Sequence, residues 1–137
     1  MRKIAIPVLL SFLISACSSI GIGATPTPTP NPVEALVHNI LPSGYKYVSD
    51  YVTTEGGDSV WVIEVTGPQT TGLASVDAAI IFRGFAKAVD TSNVAWLKIS
   101  VINMPYAYRV SSGPARAAAK GTISDQDLAK LVDWLPK

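Results

Sequence analysis

Three carboxylates in the middle of the chain come nearest to a catalytic arrangement. Glu55 and Asp58 flank a Gly-Gly pair, and Glu64 follows in the next segment. Two carboxylates placed on either side of a glycosidic bond can serve as general acid and as base or nucleophile. The sequence therefore allows a small hydrolase of polymers, although charged residues beside a Gly-Gly turn are common without any catalytic role.

Other catalytic and metal-binding patterns are weaker. His38 is the only histidine, and the chain has no Gly-x-Ser-x-Gly motif to present a serine nucleophile. Asp50, Glu55 and Asp58 offer the oxygen ligands that Ca²⁺ prefers, but their spacing does not match an EF-hand loop. One histidine and one cysteine do not make a zinc ligand set. We therefore expect a non-enzymatic protein without a metal or cofactor.

Aromatic residues with basic neighbours form a second candidate site. If they share the sheet face that is turned away from the helices, they create a weakly basic surface suited to a sugar, a peptide or a protein partner. The alternative is that aromatic residues are simply favoured in β-strands. The residues of this predicted partner-binding surface are Tyr45, Tyr47, Trp96, Lys98, Tyr106 and Tyr108.

The segments that carry these residues have strand patterns. The sequence Glu55-Gly56-Gly57-Asp58 predicts a hairpin between strands over residues 45–53 and 59–66. Residues 94–103 alternate between apolar and polar, which predicts a strand with one buried and one wetter face. A fourth strand is predicted over residues 106–110, antiparallel to the third.

Helical spacing of apolar residues predicts helices around these strands. They cover residues 33–40, roughly 73–89, and 112–119, and Gly84 in the second indicates a close contact with the sheet. The pattern Ser124 to Asp127 resembles a capping box, and it precedes a last predicted helix with the apolar stripe Leu128, Leu131, Val132 and Leu135. The predicted fold is a small two-layer α+β sandwich of about four mostly antiparallel strands, with helices on one face and the order α-β-β-α-β-β-α-α.

The segment before this domain has the composition of a spacer. Residues 18–23 contain several Ser and Gly, and residues 25–32 alternate Thr or Asn with Pro. Proline at every second position prevents helix and sheet formation, so an extended polyproline II spacer of about 25 Å is expected. Binding to a proline-recognising module is the alternative, and the threonines are possible sites of O-glycosylation.

The first residues have the layout of a secretory signal. Arg2 and Lys3 precede an apolar run over residues 4–14, and small residues follow. The run is shorter than the about 20 residues that a membrane-spanning helix needs. Ile14-Ser15-Ala16-Cys17 resembles the lipobox of bacterial lipoproteins. The resemblance implies cleavage before Cys17, a diacylglyceryl group on its thiol, and a further acyl chain such as palmitate on the new N-terminus in many bacteria.

Charge and cysteine content narrow the classes of partner. The chain carries 11 basic and 10 acidic side chains, and removal of Arg2 and Lys3 leaves the acidic ones in slight excess. That balance argues against a nucleic-acid partner, which selects basic patches. Cys17 is the only cysteine, so its lipidation would leave no thiol for disulfides or nucleophilic catalysis.

Together these patterns predict a signal peptide over residues 1–16, a lipidated tether over 17–32 and one globular domain over 33–137. We expect export to the bacterial cell envelope and anchoring through Cys17. The anchored protein would lie in the outer membrane of a diderm host, and otherwise on the outer face of the cell membrane. The leading hypothesis is a non-enzymatic binding or assembly module with an envelope protein, peptide or glycan partner. The alternatives are the carboxylate hydrolase and a structural spacer.

Overall fold

The computed structural model describes residues 31–68 and 72–137. Over these residues the fold is α+β, with a five-stranded mixed sheet and four helices. The α+β class is confirmed. The elements are α1 Pro32–Ile40, β1 Lys46–Glu55, β2 Asp58–Thr66, α2 Ser75–Ala88, β3 Trp96–Val101, β4 Tyr106–Ser111, α3 Ser112–Ala119, α4 Asp125–Ala129 and β5 Asp133–Pro136.

The strands lie side by side in chain order, β1 to β5. The β1–β2 hairpin turns at Gly56 and Gly57, whose φ angles of 61° and 92° lie in the left-handed region that glycine tolerates. The chain returns through α2 before β3, so β2 and β3 are parallel. The other neighbouring pairs are antiparallel, and β1 has a bulge between Tyr47 and Ser49.

The main core lies on one face of the sheet. The central strands direct alternate apolar side chains to this face, and all four described helices contribute to it. We call it the helix side. Its largest fully buried side chains include Phe82, Phe85, Ile63, Ile81, Leu97, Ile99 and Leu128. The opposite face carries the intervening residues of each strand, and we call it the open face.

The C-terminus differs from the prediction of four strands ending in two helices. Ser124 does cap α4, since its hydroxyl accepts a hydrogen bond from the Asp127 N–H at 3.1 Å. The helix, however, ends at Ala129, and residues 133–136 form β5 beside β4. Pro136 cannot contribute an N–H to a helix, and pairing with β4 satisfies the backbone instead.

The N-terminal boundary of the folded part lies at Asn31. Its side chain accepts a hydrogen bond from the Val33 N–H at 3.0 Å and caps α1, whose first turn contains Pro32. Two residues that the sequence places in the tether therefore belong to the fold. Gly84 has its close contact with Ile40 of α1 rather than with the sheet, since a Cβ there would overlap that side chain.

Candidate functional site

The open face carries a network of charged and aromatic side chains. The Lys98 ammonium lies 2.7 Å from Glu55 Oε1. The Trp96 indole N–H donates to Asp58 Oδ2 at 3.0 Å, and the Arg109 guanidinium lies 4.1 Å from the centre of the Trp96 ring. Arg109 is thus placed for a cation–π interaction. Trp96 has both its N–H and one ring face occupied by neighbours within the same domain.

Glu64 lies further along the same face and also has partners. The Ser49 hydroxyl donates to Glu64 Oε2 at 2.6 Å, and the Tyr51 hydroxyl donates to Oε1 at 3.3 Å. The three carboxylates considered for hydrolysis are therefore each bound to a neighbouring side chain. These contacts link β1, β2 and β3 across the open face.

Two valines beneath the network are buried without belonging to the main core. Val60 and Val62 are 0% and 2% exposed, although they point to the open face. Tyr51 and Lys98 lie on either side of Val62 in the neighbouring strands. Cross-strand neighbours on one face pack against each other, so the long side chains of the network exclude water from the valines.

A second aromatic group lies on the helix side, near the β4–β5 edge. We call Tyr106, Tyr108 and Trp134 the Tyr–Trp cluster. Tyr106 and Tyr108 meet edge to face with ring centres 5.7 Å apart, and Tyr106 and Trp134 lie 5.1 Å apart with a tilt of 43°. Both separations fall in the range of favourable aromatic pairs.

The buried end of this cluster is fixed by hydrogen bonding and close packing. The Tyr108 hydroxyl donates to the Leu73 carbonyl. Burial, reinforced by Tyr106, raises the pKa of Tyr108 to about 12, so it stays a neutral donor at physiological pH. Gly72 leaves room for the Tyr106 hydroxyl and Gly67 for the Tyr45 ring, since a Cβ at either glycine would overlap them.

The outer end of the cluster is open to solvent. Trp134 is 65% exposed, the highest value among the exposed large apolar side chains of residues 31–68 and 72–137. Trp134 was not among the predicted site residues, because the stripe Leu128, Leu131, Val132 and Leu135 predicted a helix across it. The available signal was Pro136, which is incompatible with a continuing helix, together with the strand preference of tryptophan.

The six residues of the predicted partner-binding surface do not share one face. Trp96 and Lys98 lie on the open face. The tyrosines pack toward the helix-side core instead, and they are Tyr45, Tyr47, Tyr106 and Tyr108. The registers explain the split, because Ile99, a core residue, is the partner of Tyr108. A role in partner binding for any of the six stays a prediction.

Tyr47 belongs to a hydrogen-bond network at the start of the fold. Its hydroxyl donates to Asp50 Oδ1, which also accepts from the Asn31 amide at 3.1 Å. The Trp61 indole N–H donates to Asp50 Oδ2 at 2.9 Å. Burial and the Asp50 carboxylate raise the pKa of Tyr47 above its usual value. These bonds connect α1, β1 and β2, which indicates a structural role.

The proposed Ca²⁺ ligands do not converge. Asp50 faces the helix side, whereas Glu55 and Asp58 engage side chains of the open face. The described part of the chain contains no group of three or more His, Cys, Asp or Glu residues suited to a metal ion. His38 is exposed on α1.

A cavity of about 440 Å³ lies on the helix side, and its lining includes no carboxylate and no histidine. The residues that line it come from α1, α2, α3 and the turn that follows α3: Leu36, Ile40, Arg83, Gly84, Lys87, Ala118, Ala119 and Gly121. The carboxylates considered for hydrolysis are therefore not gathered in this cavity.

Cys17, the signal peptide and most of the tether lie outside the described residues. Within residues 31–68 and 72–137, no helix has the length and apolar content needed to cross a membrane. Comparison with known proteins gave no match to a family model, to a curated protein or to a solved structure.

Proposed function

We propose that this chain is a bacterial envelope lipoprotein whose folded domain is a non-enzymatic binding or assembly module. Its anchor would be the lipid on Cys17, in the outer membrane of a diderm host or on the outer face of the cell membrane otherwise. The order of basic residues, apolar run, small residues and cysteine supports the anchor. Two or three acyl chains are enough for stable attachment.

The observation that carries the binding role is the exposure of Trp134. An indole that is 65% exposed and rests against Tyr106 presents a rigid apolar surface to solvent. Tryptophan and tyrosine are the residues that most often dominate binding energy, because they bury a large area with few rotatable bonds. Trp96 is a weaker candidate, since one face of its ring already contacts Arg109 and its N–H is bonded to Asp58.

The position of Trp134 suits a tethered module. The chain enters the fold at Asn31, which contacts the edge strand β1, whereas Trp134 lies in β5 at the opposite edge. Four strand spacings separate the two edges, which amounts to about 19 Å. A domain held by its N-terminus would therefore keep this surface away from the attachment point.

Affinity capture tests the binding role. The lipidated full chain is recovered from its own envelope, and the bound molecules are identified by mass spectrometry. We expect a reproducible partner that is lost with Trp134→Ala and retained with Trp96→Phe. Equal recovery with both variants would contradict the assignment of the surface, and no specific partner at all would favour the structural spacer.

The anchor is tested separately by palmitate labelling. We expect labelled protein in the membrane fraction, and we expect Cys17→Ala to abolish both the label and the membrane association. Mass spectrometry of the N-terminal peptide provides the independent check. An unmodified N-terminus in the mature protein would rule out the lipoprotein assignment.

A further inference from the structure

The two edges of the sheet differ in how well they are protected from pairing with another chain. At one edge, β5 has four residues and includes Pro136, which has no backbone N–H. At the other, β1 has ten residues and no proline, and no strand within residues 31–68 and 72–137 pairs with its outer side. Val48, Tyr51 and Val52 on β1 are between 46% and 55% exposed. The β1 edge is therefore open to an added strand.

The hairpin turn determines which backbone groups of β1 point to this edge. The φ angles of its two glycines, 61° and 92°, are those of a type I′ turn, in which Glu55 and Asp58 form a hydrogen-bonded pair. Hydrogen-bonded pairs alternate along an antiparallel ladder, so Tyr51 also bonds to β2. The N–H and C=O groups of Asp50 and Val52 consequently point away from β2 and are available to a partner strand.

The charges of β1 are placed symmetrically on the open face. The bulge inserts Val48 between paired residues, so Lys46 and Glu55 point to the same face although one number is even and the other odd. Tyr51 lies midway between them. The open-face positions of β1 are, in order, Lys46, Ser49, Tyr51, Thr53 and Glu55. Rotation of a second copy by 180° about an axis through Tyr51, normal to the sheet, places Lys46 of each copy opposite Glu55 of the other.

Both charged groups can form this additional pair. Lys46 is exposed and forms no ion pair within the part of the chain that the structure describes. Glu55 contacts Lys98 through Oε1, which leaves Oε2 for a second cation. The neighbouring registers are less favourable. An axis through Asp50 would place the two Asp50 residues opposite each other, and an axis through Val52 would leave Lys46 without Glu55.

From this arrangement we infer that β1 pairs antiparallel with β1 of a second copy of the chain, with the two-fold axis at Tyr51. The contact joins two five-stranded sheets into one. Asp50 and Val52 of each copy exchange backbone hydrogen bonds with Val52 and Asp50 of the other, and Lys46 pairs with Glu55 at both ends. The inference goes beyond the proposed function and requires neither the lipid anchor nor a ligand.

The same dimer is compatible with attachment to one membrane. Asn31, where the chain enters the fold, is bonded to Asp50 beside the two-fold axis. An axis normal to the sheet keeps the helix sides of both copies on the same face, so the two chains enter the dimer close together and from the same side. Trp134 of each copy then lies in β5 at an outer edge of the joined sheet.

Cysteine cross-linking of the full chain in a nonionic detergent tests the register. Across the two-fold axis, the Cα atoms at position 51 would be about 4.5 Å apart, which a disulfide can span. We expect Tyr51→Cys to form a linked dimer on mild oxidation. Thr53→Cys alone should not, because its two copies would be about 13 Å apart along the strands. Co-expressed Ser49→Cys and Thr53→Cys should link to each other, and the native chain controls for Cys17.

Sedimentation equilibrium of the same preparations measures the association. Val52→Pro removes an outward N–H without breaking the β1–β2 ladder, so we expect a folded monomer, with circular dichroism as the check. Lys46→Glu should weaken the dimer about tenfold, because both ion pairs become repulsive contacts. Lys87→Glu makes the same charge change on an exposed position of α2 and should associate like the native chain. If Val52→Pro unfolds, Lys46→Glu and the cysteine variants decide.

Three outcomes would overturn the inference. They are a native chain that stays monomeric at every concentration, equal cross-linking of Tyr51→Cys and Thr53→Cys, and Lys46→Glu associating as well as the native chain. Oxidation in the envelope adds a fourth, since a Tyr51→Cys adduct with a different protein and none with itself would assign the edge to another partner. Envelope capture that depends on Trp134 is a separate measurement, so the proposed function can stand or fail independently of the dimer.

Discussion

The two faces of the sheet use aromatic residues in opposite ways. On the open face, Trp96 is half-buried, with its N–H bonded to Asp58 and Arg109 over one face of its ring, and Lys98 pairs with Glu55 nearby. On the helix side, the Tyr–Trp cluster is anchored at Tyr108 but ends in Trp134, which is 65% exposed. An aromatic residue in a strand therefore indicates a binding surface only if its neighbours leave a ring face accessible.

The two faces also differ in which groups shield their apolar side chains from water. Helices cover Ile63 and Leu97 on the helix side, where the main core lies. On the open face, Val60 and Val62 are covered by side chains of the strands themselves. The first arrangement is a packed core and the second is a thin layer, so the two should differ in their contribution to stability.

The largest expected effect comes from breaking the packed core. Phe85→Ala removes a fully buried ring that meets Trp61 edge to face at 4.9 Å, and we expect a loss of about 3–5 kcal/mol in the free energy of unfolding. Val62→Ala, the control on the open face, should cost about 1–2 kcal/mol. Denaturant unfolding measures both. Equal losses would show that the buried valines of the open face stabilise the fold as much as the main core does.

A smaller effect is expected at Tyr108. Tyr108→Phe removes the hydrogen bond to the Leu73 carbonyl and should cost about 1 kcal/mol. The pKa of Tyr108 is about 12 in the fold against 10.0 in a model peptide. Its stabilisation is therefore complete below pH 10 and decreases as the pH rises toward 12, because the unfolded chain ionises first.

Unfolding curves between pH 8 and 12 measure this dependence. We expect Tyr108→Phe to lose stability less steeply above pH 10 than the native chain. Tyr51→Phe on the open face is the comparison. Burial and the nearby Glu64 also raise the pKa of Tyr51, but its side chain is exposed, so a smaller change in slope is expected. A native-like slope in Tyr108→Phe would contradict the assignment of a buried, neutral phenol.

The smallest effect is expected from the ion pair of the open face. Glu55 and Lys98 are partly exposed, so their coupling in a double-mutant cycle with Glu55→Gln and Lys98→Met should be below about 1 kcal/mol. Added salt should reduce it further. A coupling above about 2 kcal/mol that is insensitive to salt would place this pair in a desolvated site instead.

Much of the fold was accessible from local sequence patterns. The Gly-Gly turn predicted the β1–β2 hairpin, and the alternation over residues 94–103 predicted β3 and its buried face. The last helix was predicted to extend too far, since α4 ends at Ala129. Leu128, Leu131, Val132 and Leu135 fit the helical period, whereas β4 offers residues 133–136 a strand partner that no local pattern reveals.

The candidate site was harder to predict from the sequence, for a related reason. Alternation assigns residues to two faces within one strand, but it does not relate the faces of different strands. Only the β3–β4 register, in which the core residue Ile99 opposes Tyr108, shows that Trp96 and Tyr108 lie on opposite faces. The sequence also contained no signal that Arg109 would cover Trp96.

The network at Asn31 has a mechanical consequence. Any force applied to the residues before the fold enters it at Asn31, whose side chain is bonded to the first turn of α1, to Tyr47 and to Asp50. Asp50 in turn accepts a hydrogen bond from Trp61 in β2, so a pulling force is shared between one helix and two strands. The β5 edge that carries Trp134 lies outside this load path and would keep its shape under tension.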